Sequence, residues 1–452
     1  MGKTKELGTK PIGALLAQYS IPAVIAMLVN AIYNVVDRIF IGQYAGENAL
    51  AGLTIAFPIM MMIFAFASLI GAGGSSLLAI RFGEKDKEGA NHVFGNTLSF
   101  GLIVTAVTLT IIFLNLESLL TLFGATPDVV SYAITYMSII LGGFIFQMIA
   151  FILSSTIRTE GQPMLAMFAM LASALTNIFL DYIFIALLDM GVAGAAYATI
   201  LGQFAGLSIL LSYYLRGKST LHLTLKHITP DFKIIGQIIT IGFATFISTI
   251  GTSVAMAFLN RGLSEYGGTA AITSMGAINS LYTFFIMPIM GITQGMQPIM
   301  GYNHGAGEKK RVHQTLLYGL IIGVVFSTLV FGLLELFPAT FIAMFLEPGS
   351  DTITVAVNGL RIFMMMLPLL SVNLMGIAYF QSTAQGRVSM ILGTLRQFVF
   401  LVPLVLILPT IFGLNGVWFA TPIADALAIM VTVIILIRDQ KKYPVEAVAV
   451  TA

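Results

Sequence analysis

Long apolar runs, parted by short breaks of Gly, Pro and charged residues, follow one another along almost the whole chain. A helix needs about 20 mostly apolar residues to cross the hydrocarbon layer of a bilayer. Twelve runs qualify, over residues 13–42, 50–80, 92–116, 130–158, 164–188, 192–215, 233–260, 269–302, 313–337, 354–381, 388–412 and 415–438. The pattern predicts an all-α membrane protein with twelve transmembrane helices. Several runs exceed the hydrocarbon thickness, so tilt or overhang is expected.

The polar breaks predict orientation. With both termini cytoplasmic, the inner segments hold eighteen Lys and Arg, from Lys3 to Lys442, and the outer segments hold Arg38, Arg261 and Arg361. That asymmetry is the positive-inside bias, and the simplest membrane is a prokaryotic plasma membrane. The short basic segment Met1 to Lys10 has no small-residue cleavage site, so it reads as a cytoplasmic tail and not a signal peptide.

The longest polar stretch, Arg216 to Lys233, falls between the sixth and seventh runs. It predicts two six-helix lobes, residues 1–219 and 233–452, joined by a cytoplasmic linker over 220–232. An internal repeat supports the division. At an offset of 222 residues, Tyr44, Gly46, Gly73 and Gly83 meet Tyr266, Gly268, Gly295 and Gly305. The block Gly191-Val-Ala-Gly194-Ala-Ala-Tyr-Ala198-Thr199 meets Gly413-Leu-Asn-Gly416-Val-Trp-Phe-Ala420-Thr421. Six helices per half give the halves the same orientation, related by an axis along the membrane normal. Two such lobes leave a central cleft and can rock to give alternating access.

Composition narrows the function. Hydrophobic residues make up 58% of the chain and charged residues 9%, against about 25% charged in soluble proteins. The absence of Cys excludes disulfide scaffolds, iron–sulfur clusters and thiolate zinc sites. Five His, none spaced His-x-x-x-His, leave little for a metalloenzyme and read as solvated residues. A net charge of +2 is too small for a nucleic-acid binder. Gly217-Lys218-Ser219 resembles the end of a P-loop, but Ser212 stands where a Gly is required. No nucleotide-binding domain and no nucleophile–base set are evident. Neither enzymatic activity nor a cofactor is expected.

Only three acids, Asp37, Asp181 and Asp425, lie well inside the runs. An ionised side chain at mid-bilayer costs about 3 kcal/mol on insertion scales, so each needs a partner, water or an ion. Asp37 could pair with neighbouring Arg38, although adjacent helical residues point about 100° apart. Asn177 and Asp181 are four residues apart and share a helix face, offering hard oxygen ligands for Na+ or a hydrogen-bonded seat for a proton. Asp425 could form a structural salt bridge with Arg396 in the preceding run. Pro22 in mid-helix removes a backbone hydrogen bond and permits a kink.

Ser20-Ile-Pro22 and Tyr33-Asn34-Val-Val-Asp37-Arg38-Ile-Phe40-Ile41-Gly42 resemble the first helix of the MATE (multidrug and toxic compound extrusion) family. Arg158-Thr-Glu-Gly161-Gln-Pro163, Asn177-Ile-Phe-Leu-Asp181 and the Gly191…Gly194…Thr199 opening are similar to that family as well. The second loop, from Arg81 to Asn91, lacks the paired arginines of major facilitator transporters. The resemblance spans the chain and is greatest to the DinF/MepA-like branch. It implies twelve helices in two lobes around a central cleft. The implied activity is export of amphipathic, mostly cationic organic compounds in exchange for H+ or Na+.

Carried over by residue, the resemblance places the ion-coupling network on Asp37, Asn177, Asp181 and Thr199, which would be metal ligands if the ion is Na+. It places the conformational switch on Pro22. The NorM-like branch adds acids in the seventh and tenth spans. Here residues 240–260 have none, and the tenth span offers only Asn373. Tyr33, Asn34, Met60, Gln147, Asn279, Met287 and Met290 are the candidates for the cleft wall, Met being soft enough to accept varied ligands. The expected partners are small organic cations and other toxic amphiphiles within the lipid bilayer, with no nucleic acid, and the transporter is expected to act as a monomer. The alternative, a lipid-linked precursor flippase of the same superfamily, would bring about fourteen spans and a strongly cationic cleft, and neither is evident.

Overall fold

The computed structural model describes residues 2–346 and 351–442. After a short polar helix at Gly2–Thr9 come six long helices: α1 (Ile12–Phe40), α2 (Glu47–Gly83), α3 (Lys87–Leu114), α4 (Pro127–Thr159), α5 (Pro163–Asp181) and α6 (Gly191–Leu215). Chemistry sets several of their starts. The Asp86 carboxylate accepts the Gly89 N–H at 2.8 Å and caps α3. Pro127 and Pro163 occupy the first turns of α4 and α5, where no N–H is required.

The next helical stretch runs from Phe232 to Gly305 without a loop. At 1.5 Å per residue that is about 110 Å, far beyond one bilayer crossing. Gly268 divides it: its φ of 59° and ψ of −156° are open to glycine, and the chain reverses there. We therefore treat 232–267 as α7 and 269–305 as α8. The expected end at residue 260 was early, because the polar segment Arg261–Tyr266 stays helical up to that single reversing glycine. Gly46, its counterpart in the repeat, also has positive φ, at 89°.

The remaining spans are α9 (Lys309–Leu336), α10 (Asp351–Phe363 with Leu367–Ser382), α11 (Gly386–Phe412) and α12 (Leu414–Lys442). The run expected at 354–381 is broken by a 47° bend. Pro368 opens the second piece and cannot supply an N–H to the first. With α10 as one broken span, the described residues hold twelve apolar crossings. The repeat is visible in their limits: α3 and α9 both begin and end 222 residues apart.

The first six helices and the last six each enclose an apolar core, but the cores interleave at one end. Leu15, Leu16 and Tyr19 of α1 pack with Ile292, Met296 and Ile299 of α8. Ile238 and Ile241 of α7 pack with Leu77, Val93 and Leu153 of the first half. Glycines permit close contact there. A Cβ at Gly291 would stand 2.6 Å from the Val24 Cα, and one at Gly295 would stand 2.7 Å from the Ser20 N. Cβ atoms at Gly83, Gly242 and Gly305 would overlap the carbonyls of Tyr302, Leu69 and Ile80. All these contacts lie in the half of the molecule that carries the termini. Ile21, Ile25, Ile32, Val35 and Ile39 are exposed at helical spacing along the whole of α1, one outward face of that helix. The glycine-mediated contacts between the two halves thus lie on one side of the membrane.

Candidate functional site

Asp37, Asn177, Asp181 and Thr199 come together from α1, α5 and α6. Asp37 and Asn177 are buried and Asp181 is wholly so. The two carboxylates are near enough to interact directly. Asn177 Nδ2 donates to the Thr199 hydroxyl at 3.4 Å. Tyr33, one turn before Asp37, lies in the field of both acids. Tyr136 of α4 also faces them and reaches the Thr199 hydroxyl.

The electrostatics of this pocket are unusual for their one-sidedness. One oxygen of Asp37, both of Asp181 and the amide oxygen of Asn177 are buried without a hydrogen-bond partner. Buried acceptors are costly unless a donor or cation meets them. Arg38 makes no ion pair with these oxygens: it is exposed and lies over the Phe57 ring, 5.4 Å from the centroid, and its charge acts on Asp37 only through space. Four acceptor oxygens and a hydroxyl suit a hard monovalent cation or a shared proton. The donor set therefore fits either coupling ion.

Backbone geometry at the site departs from the α-helix. A π-helical turn begins at Ile41, one turn after Asp37, and another at Tyr182, immediately after Asp181. A third, Leu395–Leu401, contains Arg396. Such wide turns are rare and concentrate at functional positions. Arg396 Nε stands 2.6 Å from Asp425 Oδ1, with Asp425 buried, Arg396 partly buried and Tyr282 beside the guanidinium. The third embedded acid thus has a cation partner, as its structural reading required, whereas the first two do not.

The other candidates scatter. Pro22 is buried in a helix that stays continuous through it. Asn34 is exposed and donates to the Asn30 carbonyl at 2.7 Å. Met60 is half-buried and packs on the core of the first half instead of standing free. Gln147, Asn279 and Met287 are half-buried, and Met290, beside the close-packed Gly291, is 40% exposed. Tyr136 was missed, although a phenol in the middle of an apolar run is a legible signal. The histidines are not all solvated: His227 is buried in the linker against α3.

A bundle of twelve apolar crossings in two halves, with buried acids in one of them, is the architecture of a membrane transporter. The MatE family model matches residues 22–183 and 241–407, and the chain belongs to that family. Among relatives, the multidrug export protein MepA of Staphylococcus saprophyticus is 28% identical over 437 residues, covering 94% of each chain. MepA of Staphylococcus aureus strain NCTC 8325 is 27% identical over 443 residues, 95% of each. Among solved structures, the MATE multidrug transporter DinF-BH superposes with a TM-score of 0.90 at 39% identity, over 97% of this chain and 98% of that one. An outward-facing MATE transporter of the MOP superfamily gives 0.91 at 28%, over 98% and 99%.

Proposed function

We propose that this protein is a secondary active antiporter that exports amphipathic, mostly cationic organic compounds in exchange for H+ or Na+. The observation that carries the reading is the set of four unpartnered acceptor oxygens on Asp37, Asn177 and Asp181. They need positive charge, and two classes of cation can supply it: the coupling ion and the substrate. The multidrug export relatives and the multidrug transporter DinF-BH support the substrate class. Twelve spans, not about fourteen, favour drug export over a lipid-linked precursor flippase.

Residues 1–219 and 233–452 serve as the lobes, with 220–232 as their linker and both termini in the cytoplasm of a prokaryotic cell. The close-packed ends of the two lobes are then on the cytoplasmic side. From outside, H+ or Na+ enters the pocket and neutralises Asp37 and Asp181, with Asn177 and Thr199 completing its oxygen shell. Neutralisation removes the attraction for the organic cation, which leaves. Reciprocity then requires substrate and ion to weaken each other's binding. Pro22 lies between Ser20 and Val24, the two α1 residues that meet Gly295 and Gly291. A bend at Pro22 therefore acts directly on the seal between lobes. Tyr33 and Asn34 border the path from the pocket to the cleft, and the monomer suffices for the cycle.

Vesicles containing the purified protein and an ethidium-type dye provide the test. Dye movement driven by an imposed H+ or Na+ gradient is expected. Movement that survives collapse of both gradients and needs ATP would refute antiport.

A further inference from the structure

Outside the transport path, a second cluster joins the linker to the start of α3. Glu88 and His92 are four residues apart on one face of that helix. His227 reaches them from a one-turn helix at Leu225–Ile228, 139 positions along the chain from Glu88. Glu88 Oε1 stands 3.6 Å from His92 Nε2 and 3.3 Å from His227 Nε2. All three atoms lie within 4.8 Å of one another. A tetrahedral zinc site with bonds of about 2.0–2.1 Å places its ligand atoms about 3.3–3.4 Å apart. The two measured separations involving Glu88 already fall close to that.

The second contacts of His227 point the same way. Its Nδ1 lies 2.9 Å from the His222 carbonyl. The same nitrogen accepts the Thr224 N–H at 3.3 Å and lies 3.1 Å from the Thr224 hydroxyl. Nδ1 thus has both a donor and an acceptor in reach, and the tautomer protonated there, bonded to the His222 carbonyl, leaves the Nε2 lone pair facing the Glu88 carboxylate at 3.3 Å. A ring nitrogen that donates to a carbonyl on its far side is the usual arrangement of a metal-bound histidine. Around the ring the backbone is close: the Asn96 side chain donates to the His227 carbonyl at 3.3 Å and accepts the Asp231 N–H at 2.7 Å. The ligand is therefore presented by an anchored turn. One competitor is present, since Lys226 Nζ lies 3.2 Å from the same Glu88 oxygen. It is 73% exposed, and a solvated surface pair of this kind is weakly held.

We propose that Glu88, His92 and His227 form a site for a divalent transition-metal ion of the zinc class, which pins the inter-lobe linker to α3. Two imidazoles and one carboxylate favour Zn2+, Co2+ or Ni2+ over Mg2+ or Ca2+. Water supplies the fourth ligand on the exposed side. The ion ties the segment leading into α7 to the first half, so its loss frees the linker without touching the transport pocket.

The test uses the full chain in lipid nanodiscs, purified through a tag that contains no histidine. Zn2+ is titrated against a chromophoric chelator, and the melting temperature is followed with and without the metal. One Zn2+ per chain at micromolar affinity or better is expected, with a melting temperature several degrees higher and no effect of Mg2+. His92→Gln and Glu88→Gln should each weaken Zn2+ binding at least tenfold and abolish the thermal shift. Lys226→Ala, which removes the competitor, should bind at least as tightly as wild type. No binding at 100 µM Zn2+, or equal binding in wild type and both ligand variants, would overturn the site and leave a histidinium–carboxylate pair.

Discussion

Replacing Gly291 by Ala should shift the protein away from the conformation seen here. The new methyl would stand 2.6 Å from the Val24 Cα and 2.7 Å from its N, both rigid backbone atoms. Carbon atoms in good contact are about 3.5–4.0 Å apart, so α1 and α8 must separate by about 1 Å at this point. Overpacking of this kind costs about 1–3 kcal/mol. The cost falls only on the state in which the two halves touch there. At RT of about 0.59 kcal/mol, the equilibrium therefore moves about 5- to 150-fold toward the state open on the terminus-bearing side. Gly276→Ala, on the same helix with nothing within 4 Å of its added methyl, controls for helix propensity. The chain has no cysteine, so Ser76→Cys, placed in the sealed region beside Gly301, is a background-free probe. Maleimide labelling of that cysteine should accelerate by the stated factor in the Gly291→Ala background. An unchanged rate, or equal acceleration by Gly276→Ala, would refute the assignment of this contact as the seal.

Other perturbations separate structural charges from functional ones. Asp425→Asn strips Arg396 of its 2.6 Å partner in a buried place, so the melting temperature should fall with a loss of about 3–5 kcal/mol. The double change Arg396→Met with Asp425→Leu should recover most of it, and failure to recover would point to a role beyond stability. Glu160, in the loop after α4, accepts from Ser219 and from Thr220 at the start of the linker, and burial raises its carboxyl above the ordinary 4.5. The folded chain holds that proton more tightly than the unfolded one, so this group's contribution is full below the ordinary value and is lost as pH rises through the folded one. Glu160→Gln should flatten that fall in a melting series; an identical pH profile in both proteins would remove Glu160 from the explanation.

The legible parts of this molecule are those the bilayer dictates. Twelve apolar runs are readable because an unsatisfied backbone cannot cross lipid, and paired glycines mark where the repeated halves reverse or touch. Asp37 and Asp181 stand out because an acid in lipid needs a reason. Hidden were features that depend on distant packing. The bend in α10, the helical continuation through Arg261, and the meeting of Tyr136 with Thr199 have no local signature. Met60 is half-buried against the core of the first half, a placement the sequence does not reveal, since side-chain chemistry alone does not say which way a helix faces. The Glu88–His92 spacing was present in the sequence, but its third member is supplied by a linker more than a hundred residues away.

The most direct test of the shared pocket is ion release on substrate binding. Protein in weakly buffered detergent solution is mixed with saturating ethidium-type cation, and freed H+ or displaced Na+ is counted per chain. About one ion should be released by the wild type and by Asp425→Asn. Asp37→Asn and Asp181→Asn, which keep the shape but cannot ionise, should release none. Binding of the dye to the wild type without ion release, or release that persists in both pocket variants, would contradict the assignment of the acid pair as the coupling site.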